Sequence, residues 1–127
     1  MAKFEFDGID ELEQMFEEIG ADIDETDQRA LKVGGEIIAE KQRDLVNRSG
    51  KNQPHIEDNI RVSKVKNSEE GKFVEVGPNN KVAWRAHFLE LGTSKMPAYP
   101  FIEKGGDEGE QEAVQAMENV YMDVLDK

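Results

Sequence analysis

Cysteine is absent from this chain of 127 residues, tryptophan occurs once and histidine twice. Without thiols there is no disulfide, no thiolate nucleophile and no cysteine-based metal site, a composition that suits a reducing cytoplasm. Long apolar runs are missing as well, so neither a membrane span nor a basic-apolar export leader is indicated. Asn47-Arg48-Ser49 fits a glycosylation sequon by chance, since nothing else points to secretion. Hydrophobic residues make up 37% of the chain and its mean hydropathy is -0.72. That composition allows one economical core and one domain over residues 1–127.

Positive charge is scarce at both ends. Residues 1–28 carry eleven acids against Lys3 alone, and residues 103–127 carry eight against Lys104 and Lys127, whereas 29–102 hold thirteen bases and nine acids. Acidic ends around a mildly basic centre fit contacts between the end of one copy and the centre of another, or solvated helix faces. The formal charge of -12 repels a phosphate backbone and argues against general nucleic-acid binding.

Phe4 and Phe6 alternate with charged neighbours, as an extended arm over residues 1–7 would. Asp7 then offers an N-cap, and Ile9, Leu12, Met15, Phe16 and Ile19 recur at helical spacing before Gly20. The opposite face of this helix is so acidic that it needs a partner surface, its own core or a neighbouring subunit. A longer helix follows from about Asp24 to Arg48, with Ala30, Leu31, Val33, Ile37, Ile38, Leu45 and Val46 as its apolar stripe. Gly34-Gly35 interrupts its centre and predicts a bend or a close backbone approach. Ser49-Gly50 ends it, and Lys51 to Asp58 reads as a polar loop.

Ile60 to Lys66 and Lys72 to Gly77 read as a hairpin around the loop Asn67-Ser68-Glu69-Glu70-Gly71. Val65 is out of phase with Ile60 and Val62, which predicts a bulge, a strand covered on both sides or an interface. Lys64, Lys66 and Lys72 guard an edge or line a lumen. After Ile102, Gly105-Gly106-Asp107 reads as a hinge and N-cap, and Ala113, Val114, Met117, Val120, Tyr121, Val124 and Leu125 form the stripe of a terminal helix. That helix is expected to pack on the sheet. The sum is an α+β fold: a small, mostly antiparallel sheet carrying an N-terminal helix, a long second helix and a C-terminal helix. A sheet this small leaves edges unburied and favours a symmetric assembly.

Apolar and turn-forming residues concentrate between Ala83 and Ile102, which holds the single Trp, one His and two of six Phe. An apolar run through Trp84, Phe88, Leu89 and Leu91 stops at Gly92, passes through Thr93 to Pro97, and returns through Pro100, Phe101 and Ile102. Gly ends helices and Pro fixes φ, so a short helix or strand, a sharp reversal and a short return strand are expected. Chemistry is weakly signalled. His55 beside Glu57 and Asp58, and His87 three residues from Glu90, lack the third ligand that a zinc site needs. Thr93 and Ser94 lack a base arrangement. No catalytic, cofactor-binding or metal residue is assigned.

The run His87 to Phe101 (HFLELGTSKMPAYPF) resembles the signature of a tailed-bacteriophage family of head-tail joining proteins, also called tail-completion or neck proteins. There an aromatic-rich turn leads into Glu-aromatic-Gly-Thr, a Pro-containing loop, and Pro-Phe before a C-terminal helix. Leu91 stands here for the usual aromatic. Element order agrees over residues 25–125, although only the motif is specific.

The resemblance implies a structural, non-enzymatic ring of six copies without cofactor. Such a ring finishes the head-proximal end of a tail, between the tail tube protein and head connector or stopper proteins. It implies a virion location, assembly in the bacterial host cytoplasm, no membrane and no sequence-specific nucleic acid, with DNA passing through the ring. Trp84, Phe88, Glu90, Leu91, Gly92, Thr93, Pro97, Pro100 and Phe101 are expected as a structural hub. Ser94, Lys95, Met96 and Ala98, with His55, Lys64 and Lys66, are expected at contacts. The rival readings are an acidic DNA-mimicking decoy, disfavoured by the central bases, and a hydrolase using His55 or His87 with Glu57 or Glu90.

Overall fold

The computed structural model describes residues 9–46, 55–95 and 97–126. The expected arm, the Asp7 cap and most of the polar loop lie outside these residues, and the long helix expected to run to Arg48 ends already at Leu45, where Val46 takes an extended backbone of φ -85° and ψ 127°. Helix α1 (Ile9–Ile19) ends at Gly20, whose φ of +72° lets the backbone reverse. Ala21 N–H closes that end on the Phe16 carbonyl at 3.0 Å. Asp22 then caps α2 (Ile23–Leu45), its carboxylate accepting from Glu25 N–H at 3.2 Å.

Four strands follow a 3-10 turn at Glu57–Asn59: β1 (Ile60–Val62), β2 (Lys66–Ser68), β3 (Gly71–Phe73) and β4 (Val76–Pro78). They form one hairpin in two pieces. β1 pairs antiparallel with β4 and β2 with β3, Val62 facing Val76 and Lys66 facing Phe73. Between those pairs, residues 63–65 face only 74–75, so one extra residue bulges from the first arm. The bulge lets Val65, out of phase in sequence, pack against the core. The turn is tighter than the five-residue loop read from sequence. Ser68 faces Gly71, leaving Glu69 and Glu70 as the turn, with Gly71 at φ +127°.

Helix α3 (Ala83–Leu91) and helix α4 (Phe101–Leu125) complete the chain. Three sequence expectations fail here. No return strand follows Pro100, and Gly105-Gly106-Asp107 is neither hinge nor cap, because α4 runs through all three. The helix accepts those glycines because it packs against α2, not against the hairpin as expected. α2 is thus the middle layer, with the hairpin on one side and α4 on the other.

α2 and α4 lie antiparallel, Gln42 meeting Gly105, Ile38 meeting Gly109, Gly34 meeting Met117 and Asp27 meeting Tyr121. A Cβ on Gly105 would stand 2.7 Å from Gln42 Cγ and 3.1 Å from the Gln42 backbone nitrogen. On the other side of α2, a Cβ on Gly35 would stand 2.7 Å from Val62 Cγ1. The paired glycines of α2 therefore mark close approach of two different layers, and the helix carries on through them. Ile38, Ala39, Ile60, Val74, Val76, Ala113 and Met117 fill the core. Burying each large apolar side chain stabilises the fold by about 1.5–3 kcal/mol.

Polar groups tie the layers together. Gln42 is buried and donates through Nε2 to the Val76 carbonyl at 3.3 Å. Arg43 donates to the Ile60 carbonyl at 2.9 Å. Asp27, on the polar side of the α2 pattern, is buried because Tyr121 O–H and Lys72 Nζ both reach it, the latter at 2.9 Å. Lys72 also pairs with Asp24. Burial, then the hydrogen bond and charge of Asp27, push the Tyr121 hydroxyl far above the usual phenol range. Burial alone would lower the Lys72 ammonium, but its bonds to Asp24 and Asp27 and their charges leave it raised.

Candidate interaction surface

The chain around α3 is built by backbone chemistry more than by burial. Val82 lies in the core with Ala86, fixing one face of α3 inward. Gly92 ends the helix at φ +78°, ψ 173°, its N–H bonded to the Phe88 carbonyl at 2.7 Å. The chain returns beneath α3, where Tyr99 N–H reaches the Leu89 carbonyl at 2.7 Å. Pro100, at φ -79° and ψ 73°, then makes a three-residue turn closed by Phe101 N–H on the Tyr99 carbonyl at 2.8 Å.

Glu90 starts the next helix. Pro100 offers no side-chain cap to α4, and the Glu90 carboxylate accepts from Ile102 N–H at 2.9 Å and Glu103 N–H at 3.2 Å. A negative group at a helix N-terminus satisfies otherwise unpaired donors and opposes the dipole. Phe101, fully buried, anchors the same turn in the core. The return segment is thus held by Glu90, Gly92, Pro100 and Phe101.

Other members of the predicted hub point outward. Trp84, Phe88 and Leu91 are 63%, 49% and 64% exposed, at i, i+4 and i+7 along one stripe. Trp84 and Phe88 meet edge to face with centroids 6.5 Å apart, and the Arg85 guanidinium lies 5.9 Å from the Trp84 ring centre. Beside the stripe, Pro78, Ala83, Ala86, Leu91 and Ile102, with His87 and Glu90, line an open groove of about 300 Å³.

Thr93, Ser94, Lys95, Pro97 and Ala98 are exposed in the connecting loop, and Lys95 N–H is bonded to Thr93 Oγ1 at 3.2 Å. Met96 lies outside the described residues. Lys64 and Lys66 are exposed on the hairpin, Lys66 paired with Glu75 at 3.0 Å. His55 is half-buried at the foot of the hairpin, where its carbonyl accepts from Asn59 Nδ2 at 2.7 Å. No cluster of three His, Cys, Asp or Glu side chains that could hold a metal occurs among the described residues. Among them, no helix is long and apolar enough to cross a membrane.

Sequence reading had no signal for the Asp27–Lys72–Tyr121 cluster, because its members come from α2, β3 and α4 and meet only in the fold. It likewise missed Glu90 as a cap. A carboxylate followed by Gly and then Pro-Phe was the trace of that role.

Residues 10–92 match the model of a family described as "Bacteriophage HK97-gp10, putative tail-component". The match runs from α1 to Gly92, and the loop and α4 lie beyond it. No curated protein and no solved structure matches the chain. With about two thirds of its length covered by that family model, the chain belongs to the HK97-gp10-like family of phage tail components, and its role is a structural one in the tail.

Proposed function

We propose that the chain is a ring subunit that completes the head-proximal end of the tail and joins it to the head connector. The observation that carries this reading is the outward stripe of Trp84, Phe88 and Leu91. Three large apolar side chains aligned on one exposed helix face form the kind of patch that soluble monomers avoid and that assembly covers. Copies of the chain, six to a ring, sit between the tail tube protein and the connector or stopper proteins, with DNA passing through the opening. The Thr93 to Ala98 loop and the lysines Lys64 and Lys66 supply further contacts. The work is done by matching surfaces, with no bond made or broken, and the particle assembles in the host cytoplasm.

Particles assembled without this chain test the reading. Filled heads and free tails should accumulate unjoined, purified chain should restore joining, and a tagged copy should sit at the neck by electron microscopy. Tails that join heads in its absence, or a tag found elsewhere in the particle, would remove the proposal. Recovery of a DNA-binding enzyme as the bound partner would favour the acidic decoy instead.

A further inference from the structure

Two apolar stripes of this chain face solvent, and the charges beside them have opposite sign. On α3, Trp84, Phe88 and Leu91 are accompanied by Lys81, Arg85 and Lys95, while the single carboxylate of the helix, Glu90, is turned to the N-terminus of α4. On α1, Met15 and Ile19 are 46% and 50% exposed, one turn apart. Every charged residue of α1 is acidic. Phe16 is buried and meets the Tyr121 ring edge to face with centroids 5.9 Å apart. α1 is therefore held to its own chain by one face and presents a second face outward.

We propose that α1 of one copy seats on α3 of the next, Met15 and Ile19 against Trp84, Phe88 and Leu91, with the exposed Glu13, Glu17 and Glu18 of α1 facing the bases around α3. The proposal rests on the ring reading above and supplies its contact. Pairing α3 with α3 would bring Lys81, Arg85 and Lys95 against their own copies, and pairing α1 with α1 would set carboxylates against carboxylates. Cross pairing joins apolar to apolar and opposite charge to opposite charge. Because the two surfaces differ, each copy uses one toward each neighbour, the head-to-tail arrangement that generates a ring when its rotation closes. The groove beside α3 gives the unbranched Met15 side chain a place to enter.

The chain has no cysteine of its own, so introduced thiols report one contact each. Ile19→Cys and Leu91→Cys are made singly and together in the full chain and treated with a short bismaleimide cross-linker. A mixture of the single variants should give cross-linked dimers at least about tenfold in excess of either variant alone. The double variant should give a ladder ending at the ring number. Trp84→Ala in the double variant should weaken self-association by about thirtyfold, as loss of a central aromatic anchor does.

Leu91→Cys cross-linking to itself as well as in the mixture would overturn the proposal in favour of paired α3 helices. A double variant without a ladder, both as purified protein and in joined particles, would also overturn it. A ladder from a chain that is absent from the neck would support this contact and remove only the proposed place in the tail. A ring at the neck without a ladder would remove the contact and leave the place standing.

Discussion

The α2–α4 contact and the outer face of α3 use side-chain size in opposite ways. Where α4 crosses α2, glycines at 34, 105 and 109 bring the helices so close that an added Cβ would collide with the facing helix. On α3 the single tryptophan, Phe88 and Leu91 are set at helical spacing and stay exposed. The first region spends its small residues on stability, and the second keeps its large ones for an outside surface. Apolar content alone therefore does not say which part of a small protein holds it together.

Filling the helix contact should have the largest effect. Gly105→Val should destabilise the fold by about 3 kcal/mol, the upper range of overpacking costs, measured by urea denaturation. Its Cβ meets the backbone nitrogen of Gln42, which cannot move aside without parting the helices. Gly34→Ala should cost clearly less, because there the obstruction is the flexible Met117 thioether. Equal losses at the two positions would show that the approach of α2 and α4 is looser than described.

The next effect lies at the far end of the same contact. Tyr121→Phe removes the hydroxyl that donates to buried Asp27 and should cost about 1.5–3 kcal/mol, as hydrogen bonds to charged groups do. It should also change the alkaline limb of stability. The folded chain holds the Tyr121 proton more tightly than an unfolded tyrosine, whose value is about 10. As pH rises through that value the unfolded state releases its proton first, so this stabilisation is complete below about pH 10 and is lost above it. Lys72 is raised too and acts in the same direction. Melting temperature should fall more steeply between about pH 9.5 and 11 in the parent chain than in Tyr121→Phe.

Smaller effects are expected around α3. Glu90→Ala takes away the distant cap of α4 and should cost about 1 kcal/mol, read by thermal unfolding monitored through helical circular dichroism. Trp84→Ala should change monomer stability by no more than about 0.5 kcal/mol, the usual range for exposed positions. A large loss there would place Trp84 in the core and erase the contrast drawn above.

Much of the fold was legible because it is local. The spacing of Met15, Phe16 and Ile19, the stop at Gly20, the existence of α2 and the irregularity at Val65 each follow from side chains within a few residues of one another. The phage tail family was read from the run His87 to Phe101, and the family match takes in that run as far as Gly92. The helical course of Gly105-Gly106-Asp107 was not. Glycine followed by Asp is a good local hinge and cap, and only the closeness of Gln42 and Ile38 makes glycine the right residue inside a helix. Nor could the period of α3 tell which stripe is buried, since a run mixing Ala, Trp, Phe and Leu offers apolar residues to every side.

By itself the sequence determined the order of a short helix, a long helix, a hairpin and a terminal helix, because apolar period and turn chemistry act over four residues or fewer. It also determined that the ends are acidic and the middle basic. The tertiary structure decided which face of each helix meets protein and which meets water. That choice depends on what stands opposite: Gln42 opposite Gly105, Tyr121 opposite Asp27, and nothing of comparable closeness opposite Trp84. Partners brought together from positions nearly a hundred residues apart are fixed by packing, and no local pattern encodes them.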